Sequence, residues 1–241
     1  MLIDLFRQGL TPQQIIYYII IYLFAMTLAF SLHEFMHAAV AVWLGDETPR
    51  NMGRLTLNPI AHIDPIGTIL LLVAGFGWGK PVMYNPGRLN RFRSHRWMNI
   101  MVHLAGVTGN FILAYVCFVI ANLFATLSVR ISAYENIFHP VYEAFIYTYV
   151  FSLMLLAFNL LPIPPLDGFH VLEECLPYKW KSTPGYRKFQ QFSPYIIWGV
   201  FILSTITSMP ILSRVINLIE IPFTLLINLM AVPFTLLFSL I

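Results

Sequence analysis

The stretch IIYYIIIYLFAMTLAFSLHEFMHAAVAVWL, residues Ile15–Leu44, runs for thirty residues with one charged side chain, Glu34. An apolar run of that length predicts a membrane-spanning helix. At 1.5 Å per residue it reaches roughly 45 Å, against about 30 Å for the hydrocarbon core. Thr11-Pro12-Gln13-Gln14 supplies its start: Thr11 as N-cap, Pro12 at the first helical position and Gln14 closing a capping box. Gly45 supplies its stop. The whole chain matches this reading. Of 241 residues, 58% are hydrophobic and only 10% charged, where a soluble domain carries about 25% charged residues. The fold class expected is therefore an all-α polytopic membrane protein. Asp4 and Arg7 ahead of so long an apolar run do not make a cleavable signal peptide.

Moving outward, 46–64 is polar and broken by Pro49, Gly53 and Pro59. Pro65–Trp78 is apolar but only about fourteen residues long, too short to span, and suits a re-entrant or short β-like segment. Lys80–Arg96 holds Lys80, Arg88, Arg91, Arg93 and Arg96 with no acid among them, so it is expected in the cytoplasm. Trp97–Leu127 is the second span, Ser128–His139 an outside loop, and Pro140–Leu161 the return. A second basic loop carries Lys179, Lys181, Arg187 and Lys188. Tyr195–Met209 and Ile216–Leu240 are further apolar helices, interrupted by Pro222 and Pro233. The count expected is about five to six transmembrane helices. One membrane-embedded domain fills 1–241, with a core of about 11–176 and accessory helices in about 192–241. The net charge of +3 clusters in two loops. That pattern sets membrane orientation and does not suggest nucleic-acid binding. Cys117 and Cys175 read as ordinary thiols.

Within the first helix stands Ser31-Leu32-His33-Glu34-Phe35-Met36-His37-Ala38. His33 and His37 at i and i+4 share a helical face and can bind one metal ion. Glu34 follows the first ligand closely enough to act as a general base without ligating the metal. Against this stands a plain alternative: two satisfied polar side chains on a buried helix. The apolar setting weighs against it, because ionisable residues in membrane helices are costly and usually functional. A catalytic zinc usually takes three protein ligands. The candidates for the third are His62, Asp64, His103, Asp167, His170 and Glu173. Asp167 is best placed, directly after a span in the proline-broken segment Leu161–Gly168. It also reads as an N-cap for 168–176. If Pro65–Trp78 does not cross, both basic loops, the end of the first helix and Asp167 share one side. Asn110 and Asn159 lie in or beside apolar spans, where an amide either bonds between helices or supports substrate and oxyanion.

Taken together, HEFMH in a membrane helix, GxxxN at Gly106–Asn110 and NLLPIPPLDG at Asn159–Gly168 resemble the site-2 protease family of intramembrane zinc metalloproteases. GRLTLNPIAHIDPIGT at Gly53–Thr68 and FGWGKPV at Phe76–Val82 extend the resemblance over the whole core. The match is to the small form without PDZ or CBS domains. The resemblance implies one Zn2+ per chain held by His33, His37 and Asp167, with Glu34 as catalytic base. It puts Asn110 and Asn159 at polar positions near the active site. It implies transmembrane protein substrates already trimmed by another protease. It also implies a bacterial or archaeal cell membrane; the charge rule puts the active site near the cytoplasmic side. Many relatives carry proline after the glycine of the second motif, where this chain has Val107. The alternative function is a zinc-binding, non-proteolytic membrane scaffold or adaptor, which needs no base. A metal transporter needs a second acidic site across the membrane, which this sequence lacks. An extended substrate is expected to pair with an exposed edge in Gly53–Gly79. Oligomeric state is not encoded in these patterns.

Overall fold

The computed structural model describes residues 9–74, 77–207 and 211–240. Asp4, Arg7, Gly75, Phe76 and Met209 lie outside them. The elements in order are α1 (Pro12–Trp43), α2 (Thr48–Asn51), α3 (Pro65–Ala74), α4 (His95–Arg130), α5 (Glu135–Asn159), α6 (Asp167–Cys175), α7 (Tyr178–Lys181), α8 (Pro184–Thr207) and α9 (Ile211–Phe238). Short 3-10 turns occupy Pro59–Ala61, Pro86–Arg88 and Ser132–Tyr134. No strand occurs among the described residues.

α1 starts as the capping chemistry requires. The Thr11 hydroxyl accepts from the Gln14 N–H, and the Gln14 side chain accepts from the Thr11 N–H at 2.9 Å. Past Leu44 the chain turns at Gly45, with φ of 114°, a value glycine adopts without a Cβ clash. Among the described residues, four helices are long and apolar enough to cross a membrane: α1, α4, α5 and the part of α9 from Leu212. Ten-residue α3 is about 15 Å long and cannot cross. The β-like form expected for Pro65–Trp78 is not seen among the described residues, and 77–85 is neither helix nor strand. The loop expected at Ser128–His139 is shorter. α4 continues to Arg130, and α5 begins at Glu135 with Pro140 in its second turn. There a proline removes one backbone bond of the helix.

The burial pattern is that of a membrane bundle. α1 buries Ala25, Ala29, Ala38 and Ala41, and α4 buries Ala105, Gly106, Gly109, Ala114 and Ala121. Small residues let helix backbones approach closely in lipid. Large apolar side chains face outward, among them Ile16, Ile20, Phe24, Ile112, Leu225 and Leu229.

Direction follows from contacts at the helix ends. The Tyr17 hydroxyl donates to Glu143 at 2.5 Å, so α1 and α5 start together and run parallel. Asn90 N donates to the Leu44 carbonyl, and Arg91 to the Trp43 carbonyl, both at 3.0 Å. α4 therefore starts where α1 ends. Arg130 donates to the Ser239 carbonyl at 3.1 Å, so the ends of α4 and α9 lie together. Leu212 at the start of α9 packs on Leu161 and Leu166. One end of the bundle thus collects the end of α1, the starts of α4 and α9, the end of α5, and α6.

Candidate metal centre

His33 and His37 lie on the last turns of α1, where the i, i+4 spacing puts both rings on the buried face. Their Nε2 atoms are 3.1 Å apart. Asp167, the first residue of α6, brings its Oδ2 to 3.3 Å from His33 Nε2 and 3.2 Å from His37 Nε2. Among the described residues, this is the group of three His, Cys, Asp or Glu side chains able to hold a metal ion. Proline-broken chain between α5 and α6 makes the approach possible. Gly168 then packs against α5, where an added Cβ would meet the Leu160 carbonyl oxygen at 2.3 Å.

The donor set fits zinc. Four ligands at about 2.0–2.1 Å from a tetrahedral ion stand about 3.3–3.4 Å from one another, close to the three separations above. Asp167 Oδ2 is buried and has no hydrogen-bond donor. The imidazole contacts explain why. His37 Nδ1 lies 2.7 Å from the Val102 carbonyl, which only accepts, so Nδ1 carries the proton. In its neutral form the ring then presents the lone pair of Nε2 to Asp167. Acceptors facing each other at van der Waals distance call for a cation between them. On the other ring, His33 Nδ1 lies 3.2 Å from Asn110 Nδ2, while Asn110 Oδ1 is buried and unpartnered. A half-turn of that amide lets Oδ1 accept from His33 Nδ1–H and leaves the Nε2 lone pair pointing inward.

Gly106 of α4 makes room for the pair. A Cβ there would sit 2.4 Å from His37 Nε2 and 2.7 Å from His33 Nδ1. Glu34 stands outside the three-ligand group. Its Oε2 accepts from the Val82 N–H at 2.8 Å, on the 77–85 chain that crosses the site. That chain is pinned at two further points: Lys80 N donates to the His62 carbonyl at 2.8 Å and Asn85 N to Asp46 Oδ2 at 2.6 Å.

A cavity of about 450 Å³ opens beside the centre, lined by His33, Glu34 and Asn159 together with Gly77–Gly79, Phe158 and Ile216. The two amides named from the sequence therefore separate. Asn159 lines the cavity and donates to the Leu155 carbonyl at 2.9 Å. Asn110 is fully buried against His33 and does not line it.

The rival ligands lie elsewhere. His62 is buried with its Nε2 2.8 Å from the Thr56 carbonyl, and Asp64 accepts from Gly67 N at 2.8 Å; both structure their loop. His170 stacks on His103, ring centroids 4.7 Å apart and 19° from parallel, and faces Glu173 at 3.4 Å. Glu173 also accepts from Tyr186 at 2.6 Å. Asp167 makes no capping bond, and Leu166 is the N-cap. Four contacts were missed from the sequence: the Val102 carbonyl, the Val82 N–H, Asp46 and Tyr84. The first two are backbone groups that no residue type announces. Asp46 follows the helix-ending Gly45, and Tyr84 closely follows the FGWGKPV stretch. The Tyr84 hydroxyl lies 2.9 Å from His103 Nε2, and burial pushes it above the usual phenol range.

The model of peptidase family M50 matches residues 21–204. YwhC of Bacillus subtilis (strain 168), named a candidate zinc metalloprotease, is 38% identical over 167 residues, covering 69% of this chain and 72% of that protein. Rip2 of Mycolicibacterium smegmatis, named likewise, is 31% identical over 191 residues, covering 76% of this chain and 64% of its own. Rip2 of Mycobacterium tuberculosis is 31% identical over 152 residues, covering 59% of this chain and 52% of its own. No solved structure matches. With a zinc-type donor set built into an apolar helix bundle and a family match over most of its length, this chain belongs to peptidase family M50, the site-2 protease family of intramembrane zinc metalloproteases.

Proposed function

We propose that this chain cleaves transmembrane protein substrates at peptide bonds inside or at the edge of the bilayer, with His33, His37 and Asp167 as zinc ligands and Glu34 as general base. The convergence of two Nε2 atoms and one unpartnered Oδ2 beside Glu34 carries this reading. A zinc ion held there supplies a Lewis acid that polarises the scissile carbonyl and acidifies an attacking water.

The chain's own residues do the rest. Val102 and Asn110 fix the two imidazoles so that their lone pairs converge. In this assignment Asn110 orients His33, and substrate contact falls to Asn159 in the cavity wall. Glu34 takes the proton from water and returns it to the leaving amine. Its bond to Val82 N–H holds the carboxylate beside the cavity. The apolar cavity suits an unwound hydrophobic segment.

The arrangement proposed has four crossings: α1, α4, α5 and α9. α8 begins beside Glu173 through Tyr186, and α9 begins beside Leu166. Both ends of α8 therefore belong to the site end of the bundle, and α8 lies along the membrane surface. That end also carries Lys80, Arg88, Arg91, Arg93 and Arg96, and Lys179 to Lys188, so it is assigned to the cytoplasm. The domain proposal is one embedded unit with its core in 11–176.

The test uses protein purified in detergent. Bound zinc is measured, and cleavage of a model transmembrane substrate is followed with and without a chelator. Glu34→Gln is expected to keep its zinc and lose about a hundred- to ten-thousandfold in rate. Loss of zinc from that variant, or full activity, removes Glu34 from the role of base.

A further inference from the structure

Asp167 has two carboxylate oxygens, and only Oδ2 enters the group with His33 and His37. Oδ1 points the other way, toward His103 Nδ1 at 3.8 Å. His103 sits on α4, one turn before Gly106, with its side chain 16% exposed. Its other nitrogen, Nε2, lies 2.9 Å from the Tyr84 hydroxyl. With the hydroxyl donating, Nε2 accepts, and the neutral ring carries its proton on Nδ1, the atom that faces Asp167. The ring plane is set from a second side by the stacked His170.

We propose that His103, oriented by Tyr84, is a positioning residue for the Asp167 ligand. Its Nδ1–H engages Oδ1 and turns Oδ2 toward the two Nε2 atoms. At 3.8 Å the contact is about an ångström longer than an ideal N–H···O bond, so it acts first as an electrostatic guide. A carboxylate ligand without such a partner rotates freely about its last bond and spends part of its time with neither oxygen in place. Hydrogen-bonded partners behind metal ligands commonly contribute tenfold to a hundredfold in metal affinity. The two residues come from different parts of the chain: Tyr84 from the 77–85 segment, His103 from α4. The arrangement therefore ties the order of that segment to the metal centre.

This inference rests on Asp167 being a zinc ligand. Zinc affinity is measured in detergent by competition with a chromogenic chelator, for the wild type, Tyr84→Phe, His103→Ala and the double variant. Tyr84→Phe removes a single oxygen and keeps the shape, so it tests the hydroxyl without a packing change. Each single variant is expected to weaken zinc binding by up to about tenfold, the low end for outer-shell partners of a ligand. The double variant is expected to be no weaker than His103→Ala, because Tyr84 acts through His103. A simple packing role predicts losses that multiply instead. Single variants that hold zinc as tightly as wild type, or losses that multiply, overturn the proposal. A wild type that binds no zinc overturns this proposal and the metal assignment together.

Discussion

At Gly106 a single methyl group decides whether two imidazoles can share an ion. The nearest atoms to an added Cβ belong to both His37 and His33, at 2.4 and 2.6 Å, far inside van der Waals contact. Gly106→Ala must push at least one ring aside. Overpacking of this kind costs about 1–3 kcal/mol of stability, and zinc affinity is expected to fall about tenfold or more. An alanine variant with wild-type zinc affinity shows that the rings are not where the metal binds. Asp167 offers a second residue-scale contrast. As a cap, it would be replaced by asparagine at no cost, because Asn caps as well as Asp. As a ligand, it loses its charge in that change and keeps one oxygen. Since Leu166 holds the N-cap position and Asp167 makes no capping bond, Asp167→Asn is expected to bind zinc more weakly and to lose most cleavage while keeping the folded stability of the zinc-free protein. Full cleavage by Asp167→Asn moves the third ligand elsewhere. The meeting of His33, His37 and Asp167 was legible before any coordinates. Helical spacing pairs the first two, and an ionisable residue straight after a span needs a partner. Their supports were not legible. The Val102 carbonyl and Val82 N–H are present at every residue of every sequence, and only packing selects these two.

Among the elements, α1 and α4 could be read to within a few residues because their apolar runs are long and their starts carry capping side chains. The α4 to α5 connection was misread because Pro140 looks like a helix start, whereas α5 begins five residues earlier and holds Pro140 inside it. α8 was seen only from Tyr195, since its first half, with Arg187 and Lys188, does not resemble a span. These differences change the topology that single-cysteine labelling will report. With exposed Cys175 replaced by serine and buried Cys117 kept, cysteines at Arg93, Lys181 and Arg214 are expected to resist an impermeant reagent added from outside. One at Ala133 is expected to react. Labelling of Arg214→Cys from outside makes α8 a crossing helix and disproves the four-span arrangement. Labelling of Arg93→Cys and Lys181→Cys from opposite faces separates the two basic loops and, with them, Asp167 from His33.

Across the whole molecule, the proposed metal centre would cross-link elements far apart in sequence. His33 and His37 belong to α1, Asp167 to α6, and the intervening α4 supplies Val102, Gly106 and Asn110. Without a cation this junction leaves a buried carboxylate oxygen facing imidazole lone pairs, an arrangement that opposes packing. A ligand that binds only the folded state adds RT ln(1 + [L]/Kd) to its stability, about 2.7 kcal/mol at a hundred times Kd. Zinc is therefore expected to raise the unfolding temperature of the detergent-solubilised protein in a concentration-dependent way, and a chelator to reverse it. Two variants make the measurement specific. Asp167→Ala is expected to lose the zinc-dependent shift, because one arm of the cross-link is gone. Glu34→Gln is expected to keep the full shift despite its lost cleavage, because Glu34 stands outside the ligand group. If zinc stabilises Asp167→Ala as much as wild type, the ion binds somewhere other than this junction. If Glu34→Gln loses the shift along with cleavage, Glu34 belongs among the ligands, and the separation of base from metal drawn here is wrong.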